Sequence, residues 1–446
     1  MKTGLLVLAL LVAVAPPAQA AGRDPVREFV TAYMAKYKIP GVALMVRRQG
    51  HVVRAEGYGM ANLEHRVPVK PETVFHSGSI GKQFTAMAVM TLVEEGRLAL
   101  DDPVSKYLDA PASWKGITVR HLLTHTSGLG EYPEDFPMQK DVTEDELLKI
   151  IMAQKLLSAP GEKWAYSGPG YVTLGVLIHR VSGQFYGDLL AERVFRPLGM
   201  TRTRMDSEAD IIPDRAAGYR MMNGEIKNQE WVAPSLRTTA DGGLLFSVVD
   251  LAKWDEGLEA GKIVSKASYD AMWSPVKLND GSTAPYGFGW GIHQAANGHR
   301  LIEHGGEFRG FTTYIVRYPD DRLTVAVLCN MAGATPSYIA RRVAGMYEPG
   351  LNPPPPKVVK LDVAKAKRFE GVYWLEDGDS LTIEASGAAG RLQLKAQGQA
   401  RELVPESDTD FFMEDSYRTY HFIVQDGTVT GVEVTTLAKF VYKKIK

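Results

Sequence analysis

The chain has 446 residues, 45% of them apolar and 23% charged, with 51 Lys and Arg against 52 Asp and Glu and a formal charge of -1. This excludes a disordered polyelectrolyte, and without a basic excess nucleic acid is not an expected partner. The length exceeds the ~250–300 residues at which single cores stop growing, so two domains are expected, and the lone Cys329 offers neither an internal disulfide nor a thiolate zinc cluster.

The first segment carries a basic Lys2, an apolar run from Leu5 to Ala15 and then Ala18-Gln19-Ala20, the pattern of a secretory signal over 1–20. The run is shorter than the ~18–20 apolar residues that span a bilayer, and Pro16-Pro17 breaks a helix before the expected cut. Export to a periplasm or the medium is expected, with no membrane span left after cleavage. Next, GVALMVRRQGHVVRAEGYG alternates about Gln49-Gly50 and predicts a two-stranded hairpin. Residues 80–95, free of proline and followed by Gly96, predict a buried helix.

From about 117 to 260, helical periods at 144–154 and 171–181 alternate with Gly- and Pro-rich loops. Strands return at TTYIVRYP and RLTVAVLCN, separated by Pro319-Asp320-Asp321. Sheet segments flanking a helical middle predict an α+β domain over 21–349. Four prolines, Pro353 to Pro356, predict a stiff extended spacer at 350–357. Beyond it, over 358–446, GVYW, SLTIEA, GRLQLKA, DFFME, YHFIV and VTGVEVTT are short alternating strands between turn residues. They predict a small antiparallel barrel or sandwich.

Chemistry concentrates at FHSGSIGKQFTA, where Ser79 and Lys82 stand i,i+3 on one helical face. A serine needs a nearby base, and the helix N-terminus favours a neutral Lys82 while offering N–H groups to an oxyanion. A second Ser-x-x-Lys, Ser274 to Lys277, runs into a turn and is discarded. His121 and His125 are spaced for one metal, but no adjacent Glu completes a His-Glu-x-x-His motif, so no metal and no cofactor are expected. A Gly-x-Ser-x-Gly elbow fails because Ser77 precedes Ser79 by two, and Cys329 in its apolar strand reads as core.

FHSGSIGKQFTA is followed in order by ITVRHLLTHTSGL, WAYSGPGYVTLG and IEHGGEFRGF. This succession resembles the serine β-lactamase and penicillin-binding protein superfamily, in particular the branch of class C β-lactamases, D-alanyl-D-alanine carboxypeptidases, D-aminopeptidases and carboxylesterases. The resemblance implies a β-lactamase-like catalytic domain with Ser79 as acylated nucleophile, Lys82 as its base and Tyr166 as a proton shuttle. It also implies an oxyanion hole from the backbone N–H groups of Ser79 and Glu307. By themselves Tyr166 could equally be an ordinary aromatic and His304 a structural histidine.

Two departures bear on substrate. The usual Tyr-x-Asn is Tyr166-Ser167-Gly168, so Gly168 removes an amide that contacts acylamide side chains and is expected to widen the site. The usual Lys-Thr-Gly is His304-Gly305-Gly306, in which a mostly neutral imidazole replaces a fixed charge while the glycines admit substrate to the strand. Beside them, Glu307 would favour an amine-bearing substrate and Arg309 would restore carboxylate binding, unless both are solvated surface groups.

The sequence thus predicts an exported hydrolase of a small ester, peptide or β-lactam-like substrate. A true β-lactamase or D-alanyl-D-alanine carboxypeptidase, and a non-catalytic scaffold on the same fold, are the alternatives. The C-terminal unit resembles accessory barrels that restrict access to the cleft in some of these hydrolases.

Overall fold

Alternation in the first hairpin decides the architecture. The computed structural model describes residues 23–133, 136–295, 297–353, 356–375, 380–386, 390–396, 399–435 and 439–446. The expected signal and two spacer prolines, Pro354 and Pro355, lie outside the described residues. The hairpin forms as β1 (Gly41–Arg48) and β2 (His51–Asn62), beside the short β3 (Val67–Pro68). Much later come β4 (Gly291–Gln294), β5 (Arg300–Phe308), β6 (Phe311–Tyr318) and β7 (Leu323–Cys329). They make one antiparallel sheet in the order β4-β5-β6-β7-β1-β2-β3, with Val42 of β1 opposite Cys329 of β7.

Both faces of this sheet are covered. On one, Val42, Leu44, Val46, Val325 and Val327 pack on α1 (Pro25–Tyr37) and on a late helix, Pro336–Tyr347. On the other, the alternate residues Ala43, Met45, Ala326 and Leu328 face the helical middle of the chain. At the centre of that middle lies α2 (Gly81–Glu94), buried on nearly every side from Gly81 to Leu92. It is joined by α3 (Val119–Leu123), α4 (Glu144–Met152), α5 (Gly168–Ser182) and α6 (Val248–Glu259).

One ion cluster is buried between α6 and the sheet. Asp255 accepts from Arg47 at 2.8 Å, from Arg317 at 2.6 Å and from the Thr324 hydroxyl at 2.9 Å. Removing the shared anion leaves the buried Arg317 guanidinium without its carboxylate and Arg47 with Glu259 alone. Asp255→Ala is therefore expected to destabilise this domain by about 3–5 kcal/mol, read as a lower urea midpoint; an unchanged midpoint refutes the account.

The C-terminal unit is a closed barrel of eight strands: β8 (Gly371–Trp374), β9 (Ser380–Ala385), β10 (Leu392–Ala396), β11 (Gln399–Pro405), β12 (Asp410–Met413), β13 (Thr419–Gln425), β14 (Thr428–Thr435) and β15 (Lys439–Lys444). Two of these, β11 and β15, go beyond the six strands expected from sequence. β15 pairs with β8, placing Tyr373 opposite Lys444, and so closes the ring. Closure removes the sheet edges that a sandwich would leave exposed. Phe369, Tyr373, Phe411 and Phe422 pack together inside, with Phe369 and Phe422 ring centres 4.3 Å apart. No helix among the described residues is long and apolar enough to cross a membrane.

Candidate active site

Ser79 lies on a tight turn, Gly78–Ile80, that runs directly into α2. Gly78 has φ +51, and a Cβ there would sit 2.6 Å from the Glu307 nitrogen on β5. A Cβ at Gly306 would sit 2.3 Å from the Ser77 oxygen and 3.0 Å from the Ser79 nitrogen. Only glycine at these two positions lets the backbone of Ser79 and that of Glu307 run against each other. Gly305 is less constrained, since its Cβ would meet nothing closer than 3.5 Å.

One helical turn on, the Lys82 Nζ donates to Ser79 Oγ at 3.1 Å and to the Asp241 backbone oxygen at 2.9 Å. It lies 4.9 Å from the centre of the Tyr166 ring, and the Tyr166 hydroxyl interacts with both Ser79 and Lys82. Burial works against the Lys82 ammonium, but its hydrogen bond to the Tyr166 oxygen and the carboxylates of Asp241 and Glu131 outweigh it and hold the pKa above the ordinary lysine value. Burial likewise keeps the Tyr166 phenol neutral, against the pull of Lys82. This corrects the expectation of a neutral Lys82. The helix N-terminus acts alone in that argument, whereas the folded chain adds two carboxylates from distant segments.

Tyr166 is delivered by the loop entering α5, whose cap is Ser167, accepting from the Gly170 N–H at 3.1 Å. The Ser167 N–H in turn donates to His125 Nδ1 at 3.1 Å, and the His125 ring lies 4.3 Å from that of Tyr166. His125 is thus a neutral buttress, its pKa pushed far down by burial and by the charge of Lys82. His121 instead accepts from the Thr118 N–H and caps α3. Among the described residues no three potential ligands gather to hold a metal.

His304 is buried on β5. Its Nδ1 is 2.5 Å from the Gly305 oxygen, which can only accept, so Nδ1 carries the proton and Nε2 accepts from the Tyr286 hydroxyl at 2.8 Å. Burial, then the charge of Lys82, lowers its pKa to about 4. The histidine at this position is uncharged near neutrality.

These groups border a cavity of about 880 Å³ lined by Ser79, Glu131, Tyr166, His304, Glu307 and the barrel residue Arg418, among others. Ser79 and Glu307 also border a second cavity, of about 130 Å³, with Tyr132, Phe136, Leu236 and Asp241. The Glu307 carboxyl is raised by burial, with Arg418 opposing. Arg309 does not reach either lining. It lies in the turn after β5 and pairs with Glu230 at 2.5 Å, whereas the arginines that line the larger cavity are Arg341 and Arg418.

Arg418 stands with Ser416 and Tyr417 on the barrel turn between β12 and β13. Asp415, which precedes them, accepts from the Tyr37 hydroxyl of α1 at 2.6 Å and pairs with Lys36. The barrel therefore contributes directly to the cavity wall.

Gly168 brings a second correction. The space beside it is not open: a Cβ there would lie 3.1 Å from Asp241 Oδ2 and 3.1 Å from Glu131 Oε2. The Gly168 N–H donates to Glu131 Oε1 at 2.7 Å. Two carboxylates thus occupy the surroundings of the missing asparagine. Sequence reasoning passed over Glu131, although it follows closely on the quoted ITVRHLLTHTSGL, and it had no signal for Asp241, Tyr286 or Arg418.

Residues 26–347 match the family model for Beta-lactamase, and 355–446 match a domain of unknown function, DUF3471. The chain belongs to the Beta-lactamase family. Within it, Penicillin-binding protein 4* of Bacillus subtilis (strain 168) is 31% identical over 404 residues, covering 85% of this chain and 88% of that protein. A D-aminopeptidase of Brucella ovis is 30% identical over 379 residues, 82% of this chain and 70% of that protein. The octameric penicillin-binding protein homologue from Pyrococcus abyssi superposes with a TM-score of 0.70 at 31% identity, over 94% of this chain and 99% of that one. The D-amino acid amidase from Ochrobactrum anthropi SV3 shares the fold, with a TM-score of 0.62 at 23% identity over 74% of this chain and 98% of that one. As a member of the Beta-lactamase family with such relatives, the chain is a serine hydrolase of this superfamily.

Proposed function

We propose that the protein is an exported hydrolase that cleaves an ester or amide through a Ser79 acyl-enzyme. The observation that carries this reading is the 3.1 Å contact between Lys82 Nζ and Ser79 Oγ, beside Tyr166 and against the backbone of Glu307. Ser79 Oγ attacks the scissile carbonyl and its proton passes to the Lys82–Tyr166 pair. The N–H groups of Ser79 and Glu307 hold the oxyanion. When the carbon–heteroatom bond breaks, the pair returns the proton to the leaving group, and water then releases the acyl group by the same route. The D-aminopeptidase relative, 30% identical over 82% of this chain, supports amide cleavage.

Because the pair rests as ammonium and phenol, it accepts the serine proton only after losing one of its own. The two groups titrate together. With a neutral ester, kcat/KM is expected to climb steadily from pH 5 to 8, with no inflection near the ordinary histidine value of 6.5, since the pKa of His304 is lowered to about 4. An inflection near 6.5 that vanishes in His304→Gln would refute the neutral histidine.

β-Lactam turnover is expected to be poor. Neither the acylamide-binding asparagine nor the cationic lysine of the third motif is present, and His304 supplies no charge in its place. The test is intact-protein mass after incubation with a fluorophosphonate and, separately, with benzylpenicillin, on wild type and Ser79→Ala. A fluorophosphonate adduct that needs Ser79, with neither adduct nor hydrolysis from penicillin, is expected. No adduct on folded wild type would overturn the acyl-enzyme.

A further inference from the structure

The two oxyanion donors come from separate pieces of chain, the Ser79 turn and the end of β5, and one buried side chain touches both pieces. His76 ends a short strand, Phe75–His76, that pairs with Leu244–Phe246, and only 1% of it is exposed. Its Nδ1 lies 3.2 Å from the Gly78 nitrogen, whose N–H can only donate, so Nδ1 accepts and Nε2 carries the ring proton. The imidazole lies flat on the Phe308 ring, with centres 3.8 Å apart and planes inclined by 11°. Gly78 directly precedes Ser79, and Phe308 directly follows Glu307.

The turn needs such an acceptor, because the first N–H groups of a helix have no partner within it. Ser77, at the cap position, gives no side-chain cap, since its hydroxyl is engaged with the Gly242 oxygen at 2.6 Å and the Leu244 N–H at 3.2 Å. His76 supplies the missing acceptor from one residue further back, and so fixes the peptide that leads into Ser79. On the far side of the ring, Nε2 faces Asp206 Oδ2 at 3.8 Å, and that carboxylate is itself held by Arg237 at 2.5 Å. Burial outweighs the pull of Asp206 and lowers the His76 pKa to about 4, so near neutrality Nδ1 stays an acceptor.

We propose that His76 is a positioning residue of the reaction: by accepting from the Gly78 N–H and lying against Phe308, it holds the Ser79 and Glu307 N–H groups at the spacing an oxyanion requires. This rests on the Ser79 acyl-enzyme reading for its catalytic meaning. Because His76 acts through backbone donors that matter most when charge develops on the carbonyl oxygen, its loss is expected in kcat and not in KM.

Three variants separate its two contacts. His76→Phe keeps a ring for Phe308 and loses the acceptor, and its kcat on a neutral ester is expected to fall by about ten- to a hundredfold with KM little changed. His76→Asn keeps an acceptor beside Gly78 and gives up the stack, as Phe308→Leu does from the other side. Both are expected to lose kcat, but by less than about tenfold. In all three the preference for the oxygen ester over its thionoester is expected to narrow, because sulfur accepts more weakly from N–H groups and loses less when they are misplaced.

A His76→Phe kcat within about threefold of wild type, an equal loss in His76→Phe and His76→Asn, or an unchanged oxygen-to-thiono preference would overturn the proposal. Thermal melts accompany each assay, and if His76→Phe does not fold, the preference in His76→Asn and Phe308→Leu decides. The ring-nitrogen NMR spectrum of isotope-labelled Ser79→Ala, with His76 assigned by its disappearance in Ser79→Ala/His76→Asn, needs no turnover. A bare Nδ1 and a protonated Nε2 are expected, and the opposite tautomer refutes the hold on Gly78. If Ser79→Ala cleaves the ester as fast as wild type while the ring shows the expected tautomer, that hold is supported and only the acyl-enzyme reading fails.

Discussion

Lys82→Met is expected to slow acylation of Ser79 by roughly three to four orders of magnitude while the fold survives. The Lys82 side chain is only 1% exposed and lies in a helix buried almost all round, so an unbranched apolar chain of similar length fits the same channel. What disappears is Nζ, with its bonds to Ser79 Oγ and to the Asp241 oxygen. The remaining base candidate is weakened as well. Burial raises the Tyr166 pKa, and the nearby Lys82 charge is the main influence that lowers it, so its removal leaves the phenol still less willing to ionise. Tyr166 therefore cannot stand in. The check is the rate of fluorophosphonate labelling beside a thermal melt. A labelling rate within about tenfold of wild type, a loss smaller than one general base supplies, would show that Lys82 is not the base.

The sequence reveals what is local and conceals what the fold assembles. Ser79 and Lys82 were legible because one helical turn separates them, and α2 was legible because its apolar residues run round the whole helix. Tyr166 and His304 were reached only by resemblance, since nothing in their own surroundings marks them. The charge state of Lys82 was misread from the helix end alone, because the opposing carboxylates come from the loops at 131 and 241. Arg309 misled in the opposite way. Adjacent in sequence to the His304 motif, it lies past the end of β5 and bonds outward to Glu230, while Arg418 reaches the cavity from a different domain. In the barrel, alternation marked six strands, but ring closure depends on pairing between β8 and β15 at opposite ends of the unit, which no local pattern records.

Gly306→Ala is expected to lower kcat on a neutral ester by about a hundred- to a thousandfold, the effect of losing an oxyanion donor. The added methyl would stand 2.3 Å from both the Ser77 oxygen and Thr313 Oγ1, far inside contact distance. Those two atoms are already bonded to each other at 2.7 Å, so neither can retreat without breaking a buried hydrogen bond. Backbone must move instead, and the segments free to part are the Ser79 turn and β5. Their separation pulls the Ser79 N–H away from that of Glu307, while Lys82 stays on α2 and keeps its place beside Ser79 Oγ. Nucleophile activation and oxyanion stabilisation are thereby separated. Gly305→Ala is the control, because its methyl would meet ordinary contacts at 3.5 Å and beyond and is expected to leave most activity intact. If the two alanine variants lose activity equally, the close approach at Gly306 is not what builds the oxyanion site; if only Gly306→Ala fails while its protein still melts cooperatively, the glycine is required for the geometry of the reacting atoms and not for folding.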